Sequence, residues 1–118
     1  MKMKRFETPA GCTIIVGSNA TENDKVTFEL GEPDDWWFHA QGSPGAHVLL
    51  KGQDASPECM QMAADLALFY SKGYNKVDCT KCSNVQKTKT PGLVLLADWQ
   101  TFNASRQSFS ECRIPLRQ

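Results

Sequence analysis

No apolar run in this chain approaches the length that crosses a bilayer, and none follows the basic start Met1-Lys2-Met3-Lys4-Arg5. A spanning helix and a secretory leader are thereby set aside, and a cytoplasmic protein with no membrane partner is expected. Net charge is missing too, since 13 Lys and Arg offset 13 Asp and Glu, so bulk electrostatics alone do not mark a nucleic-acid binder. The five cysteines lack the even count of a small disulfide-stapled domain, which makes reduced thiols the expectation. Repeats, low-complexity stretches and linkers are absent. With 41% hydrophobic residues, residues 1–118 read as one domain with a core of ordinary size.

What is present is concentrated between Asp35 and Val48. Asp35-Trp36-Trp37-Phe38-His39 alternates bulky rings on both sides, as a central strand buried on both faces would. Pro44-Gly45 then has the chemistry of a tight turn, Pro presetting the first position and Gly supplying positive φ at the second. Ala46 to Leu50 forms the return strand, and His39 and His47 are expected near opposite ends of this hairpin.

One helix is signalled at both ends. Ser56 can cap it, Pro57 suits its first position, Glu58 complements the dipole, and Lys72-Gly73 closes it. Between them Cys59, Met62, Ala63, Leu66, Ala67 and Tyr70 keep helical spacing, so this stripe packs on a sheet. Strands are expected at Cys12 to Val16, Lys25 to Leu30, Asp35 to Ala40, Ala46 to Leu50, Lys76 to Thr80, Leu93 to Ala97 and Ser108 to Ile114. The fold class is α+β, a mostly antiparallel or mixed sheet with one principal amphipathic helix at about 57–72. Asn19, Asn23 and Asp24 fall in a loop of this scheme, where Asx side chains bond the backbone.

Charge is balanced in sum but not in place. Residues 1–59 carry 5 Lys and Arg against 9 Asp and Glu, a balance of −4, and residues 60–118 carry 8 against 4, or +4. Lys72, Lys76, Lys81, Lys87 and Lys89 are opposed only by Asp78 within their stretch and are interleaved with Tyr74 and polar residues. That mixture suits phosphate contacts with a ring available for stacking; it also suits a plain solvated loop.

Thiols and imidazoles carry weaker signals. Cys79-Thr80-Lys81-Cys82, with His39 and His47, contains enough ligands for zinc, but a structural site pairs two knuckles and this spacing does not. A redox CxxC opens a helix, and Ser83 to Pro91 has no helical period. Ser43 near His39 and Asp35 could make a hydrolase only with an orienting group and oxyanion donors, which are not identifiable. No metal, cofactor or catalytic residue is assigned. A histidine in a rigid aromatic strand more often bonds the backbone, although a neutral imidazole can also meet a base or phosphate.

Several of these segments, in this order, resemble the NFACT-R domain, the RNA-binding module of the NFACT proteins of ribosome-associated quality control. The acid-x-Trp-aromatic-His strand with its Pro-Gly-x-His-Val return carries the resemblance. Val16-Gly17-x-Asn19 with Asn23-Asp24, Ala63-Ala64 to Tyr70-Ser71, and Val77-Asp78-x-Thr80, Val85-x-Lys87 and Pro91-Gly92 agree with it, from about Phe6 to Leu96. The chain departs at Ser18, where the family has an arginine.

The resemblance implies a non-catalytic, stand-alone module for structured RNA, tRNA or ribosomal RNA, with the large ribosomal subunit as a further partner. Lys81, Lys87 and Lys89 would contact phosphates, with Lys72 and Lys76 in support, and Trp36, Tyr74, His39 and His47 would meet bases or sugars. Trp37, Gly45, Asn19, Asn23, Asp24 and Asp35 would hold the surface in shape. The rival classes are an enzyme or subunit in RNA modification and a protein-interaction domain.

Overall fold

The structure, a computed structural model, describes residues 3–9, 11–42, 45–52, 55–71 and 75–104. Its chain order is β1 (Lys4–Glu7), β2 (Thr13–Val16), α1 (Ala20–Lys25), a wider helical turn over Val26–Leu30, β3 (Trp36–Ala40), β4 (Val48–Leu50) and α2 (Pro57–Phe69). There follow β5 (Lys76–Lys81), a 3-10 turn over Cys82–Asn84, β6 (Val85–Lys87), β7 (Val94–Leu96) and β8 (Gln100–Asn103). Six strands form one sheet in the order β1-β2-β4-β3-β5-β8, while β6 and β7 make a separate hairpin. Every pairing is antiparallel. The class is α+β, as the sequence implies.

Alternation along β3 explains the layering. Phe38 is fully buried in the larger core with Ile14, Val48, Leu50, Val77 and the apolar side of α2, and Trp36 packs partly against it. Trp37 lies on the opposite face with its strand partner Leu49, where Ile15, Val26, Leu49 and Cys82 form a second, smaller cluster. Trp37 is buried in the layer beneath α1 and the turn that continues it.

At the start of α2 the Ser56 side chain accepts from the Cys59 N–H, and Pro57 occupies the first turn. The helix stops at Phe69 with Tyr70 as its cap; Lys72-Gly73, expected to close it, lie outside the described residues. Cys59, Ala63, Leu66 and Ala67 are buried under it. Cys59 is joined to Cys12 by a disulfide, with Cα atoms 6.2 Å apart. This corrects the expectation of reduced thiols throughout, because the loop before β2 and the first turn of α2 meet at the rim of the core.

Lys25 to Leu30 is not a strand. Its β-branched alternation, Val26-Thr27-Phe28-Glu29-Leu30, resembles one, but α1 runs directly into it and buries Val26 and Thr27. The expected strand at Ser108 to Ile114 lies outside the described residues.

Candidate functional site

The helix that replaces the expected loop is set by its first residues. Asn19 accepts from the Glu22 N–H at 2.8 Å, while the Glu22 carboxylate turns back to accept from the Ser18 N–H at 2.9 Å and from the Ser18 hydroxyl. Two otherwise orphaned donors are satisfied reciprocally, in the manner of a capping box. The Ser18 hydroxyl bond is the chief reason the Glu22 carboxyl is held below its ordinary range. Asn19, Asn23 and Asp24 therefore belong to a helix and its cap, not to a loop.

Asn23 takes over a strand's bonding. Its Nδ2 donates to the Gly45 carbonyl at 3.1 Å and its Oδ1 accepts from the His47 N–H at 3.0 Å. The next backbone in line, Gly17, donates its own N–H to the His47 carbonyl at 3.0 Å. A Cβ on Gly17 would collide with the Asn23 side chain, so Gly17 is the residue that lets this side chain lie between two stretches of backbone.

Beneath Asn23 sits a buried polar knot. The Thr27 hydroxyl donates to the Asn23 carbonyl at 2.8 Å, lies 3.0 Å from His47 Nδ1, and accepts from Trp37 Nε1 at 3.0 Å. Its one proton and two lone pairs are all in use. The Trp37 ring meets His47 edge-on at 4.9 Å and stacks on His39 at 5.8 Å. His47 is 1% exposed, so it cannot present its ring to a ligand at the surface, which corrects its assignment to RNA contact. Burial, then the neighbouring His39, pushes its pKa down to about 4. His39 is half-buried and likewise lowered by burial, with Asp78 opposing.

The two histidines are neighbours, with ring centroids 5.3 Å apart, and not at opposite ends of a hairpin. Phe38 pairs with Val48, whereas a two-residue turn at Pro44-Gly45 would place it opposite Lys51. Ser43 and Pro44 lie outside the described residues, and the left-handed glycine of the loop is Gly42, at φ +77°. Gly45 does different work. It bridges to Ser71, and a Cβ there would collide with the Ser71 side chain.

Asp35 anchors the far end of β3. It accepts from Lys51 Nζ at 2.6 Å, the Gly52 N–H at 2.8 Å and the Glu32 N–H at 2.9 Å. Burial alone would raise its pKa, but these donors outweigh it and the carboxyl sits below the ordinary range.

The remaining wall arrives from the β6–β7 hairpin. The Gly92 N–H donates to Asp24 at 3.0 Å, and Gly92, at φ +80°, would bring a Cβ to 3.1 Å from Ala20. Together these contacts border a cleft of about 800 Å³ built from five separated segments: Lys4, Val16 to Ala20 with Asn23, His39 with Gly42, Gly45 and Ala46, Tyr70, and Pro91 to Leu93. Lys4 Nζ lies 5.4 Å from the Tyr70 ring centroid. Among the described residues expected to make contacts, only His39 lines this cleft. Lys4 and Tyr70 were not anticipated as contacts; only the basic start of the chain pointed at Lys4.

The lysines do not form one loop. Lys76 and Lys81 stand at opposite ends of β5, Lys76 bonded to Asn103 and Lys81 held over the Trp36 ring, 4.0 Å from its centroid, while donating to the Asp34 carbonyl. Lys87 lies on β6, 5.9 Å from the Phe28 ring centroid, and Lys89 follows it, exposed. Lys72 and Tyr74 lie outside the described residues. Cys79 and Cys82 bury on opposite faces, one in each cluster, and burial pushes their thiols up to about 12 and about 11. No group of three His, Cys, Asp or Glu able to hold a metal ion occurs among the described residues, and no helix there is long and apolar enough to cross a membrane.

Comparison with known proteins gives a consistent picture. A family model described as the NFACT protein RNA binding domain matches residues 2–97. The Rqc2 homolog RqcH of Bacillus subtilis is 32% identical over 98 residues, covering 78% of this chain and 17% of that protein. The Rqc2 homolog RqcH of Streptococcus suis is 33% identical over 112 residues, covering 88% and 20%. The chain thus spans about a fifth of the length of these relatives. Among solved structures, the C-terminal part of the fibronectin/fibrinogen-binding protein from Streptococcus suis superposes with a TM-score of 0.84 at 30% identity, over 94% of this chain and 49% of that one.

Proposed function

We propose, since the chain belongs to the NFACT RNA-binding domain family, that it binds structured RNA, tRNA or ribosomal RNA, in the service of translation and ribosome-associated quality control in the cytoplasm. The observation that carries this reading is the cleft. Its described lining holds no carboxylate and no thiol, but offers a half-exposed imidazole, the polar Ser18 and Asn19, and one cation, Lys4. RNA bases are read where they leave the stack and meet such hydrogen-bonding edges and rings. Lys87 and Lys89, on the hairpin that supplies the Pro91 to Leu93 wall, would add phosphate contacts, with Lys76 and Lys81 more remote. An RNA-modifying enzyme would need a thiol or carboxylate facing His39 across the cleft, and the described lining supplies neither.

The test is titration of labelled tRNA and ribosomal RNA fragments at several salt concentrations. Affinity should fall steeply with salt, and Lys87→Glu with Lys89→Glu should flatten the logarithmic slope by about two phosphate-equivalents with the melting temperature unchanged. Absence of RNA binding by the wild type at low salt would overturn the proposal, and an unchanged slope in the double variant would remove the hairpin lysines from it.

A further inference from the structure

The hairpin that walls the cleft carries exposed apolar residues that continue beyond it. Leu93, which lines the cleft, is 57% exposed; Leu95, two residues on along β7, is 60% exposed; Trp99, just beyond the strand, is 52% exposed. Alternation in β7 puts Leu93 and Leu95 on one face. The backbone that presents Trp99 is held firmly. The buried Thr80 hydroxyl lies 3.1 Å from the Ala97 carbonyl and 3.3 Å from that of Asp98. The Asn84 side chain donates to the same hydroxyl at 3.0 Å, and the Asn84 carbonyl accepts from the Ala97 N–H at 3.0 Å. Asp98 then adopts φ +49°, the one left-handed non-glycine among the described residues, and Trp99 follows it directly. Two neighbouring elements therefore brace the turn that projects this indole.

Charge selects the occupant. From Lys81 to Ala104 the chain holds Lys81, Lys87 and Lys89 against a single acid, Asp98, so the segment that carries this ring and the two leucines is net positive. A polyanion with flat faces fits both properties. We infer that Trp99 is a stacking platform for an unpaired base of single-stranded RNA, which leaves the cleft past Leu93 and runs along Leu95. The inference rests on the RNA-binding reading above and adds to it a contact beyond residue 97, where the family match ends.

The test compares wild type, Trp99→Ala and Trp99→Phe on a short oligoadenylate and on a labelled tRNA. Stacking on one base is worth about 1–3 kcal/mol, so Trp99→Ala should weaken oligoadenylate binding roughly 5- to 150-fold with the salt slope and melting temperature unchanged, and Trp99→Phe should retain most of the affinity. In a Trp36→Phe background, oligoadenylate should also quench the exposed indole's fluorescence. If the wild type binds RNA and Trp99→Ala binds it equally well, the platform is wrong. If the wild type binds neither RNA, the parent reading fails and this one with it.

Discussion

Thr27→Val removes one hydroxyl and almost no volume. Thr27 is 3% exposed, and its oxygen serves the Asn23 carbonyl, His47 Nδ1 and Trp37 Nε1. The Asn23 carbonyl keeps the Val26 N–H, so it survives the change. Trp37 Nε1 and His47 Nδ1 do not, for both rings are buried, each 1% exposed. An unsatisfied buried polar group costs about 1–3 kcal/mol, so the variant should lose roughly 2–5 kcal/mol, a large share of a domain's typical stability. Trp37→Phe alone should cost about 1–2 kcal/mol, and in the Thr27→Val background its further cost should fall by about 1 kcal/mol, since one of the stranded donors is gone. Urea unfolding followed by far-ultraviolet circular dichroism, with a common m-value, measures all four corners of the cycle. A Thr27→Val variant within about 0.5 kcal/mol of wild type, or strictly additive single changes, would refute the account of the knot.

Two further outcomes are expected. His47 has a folded pKa of about 4 against an unfolded value of about 6.5, so the unfolded chain takes up a proton the folded one refuses. Stability should be full above pH 6.5 and decline by roughly 3 kcal/mol towards pH 4, with His39 adding in the same direction; the urea midpoint of His47→Gln should depend less on pH over that window, and an equal dependence would contradict it. Trp37→Ala should cost about 3–5 kcal/mol and Trp36→Ala about 1 kcal/mol, because Trp37 is 1% exposed and Trp36 is half-buried at the edge of the larger core; denaturant melts showing the reverse order would place the rings on the wrong sides.

Legibility followed the range of the interaction. The helix over Pro57–Phe69 was readable because cap, proline and apolar stripe are local. β2, β3, β4 and β5 were readable because strand alternation is local as well. Val26 to Leu30 misled for the same reason: its period is that of a strand, and only the Asn19-x-x-Glu22 spacing, a capping signature, spoke for a helix. The pairing of His39 with His47 depends on loop length and register, and the face of Trp37 on which layer is thicker. Neither is a property of neighbouring residues. β1, β6 and β8, Lys4-Arg5-Phe6-Glu7, Val85-Gln86-Lys87 and Gln100-Thr101-Phe102-Asn103, are mostly polar or charged, so no apolar alternation stands out in them. The cleft is least legible of all, since its walls come from segments far apart in the chain, joined by contacts such as Asn23 to His47 and Asp24 to Gly92.

That dispersal bears on how the molecule is assembled. The β1–β2 and β3–β4 pairs close short loops, but Ile14 must find Leu50 and Trp36 must find Lys81 before the sheet is complete. Such distant pairings cost chain entropy before any contact rewards them, and they come late. The last wall is tied in by the bond from Gly92 to Asp24, residues far apart in the chain. The cleft consequently depends on contacts that span the whole domain. The shortest continuous peptide that contains all five walls runs from Lys4 to Leu93, so neither half of the chain can be excised as a smaller binding unit.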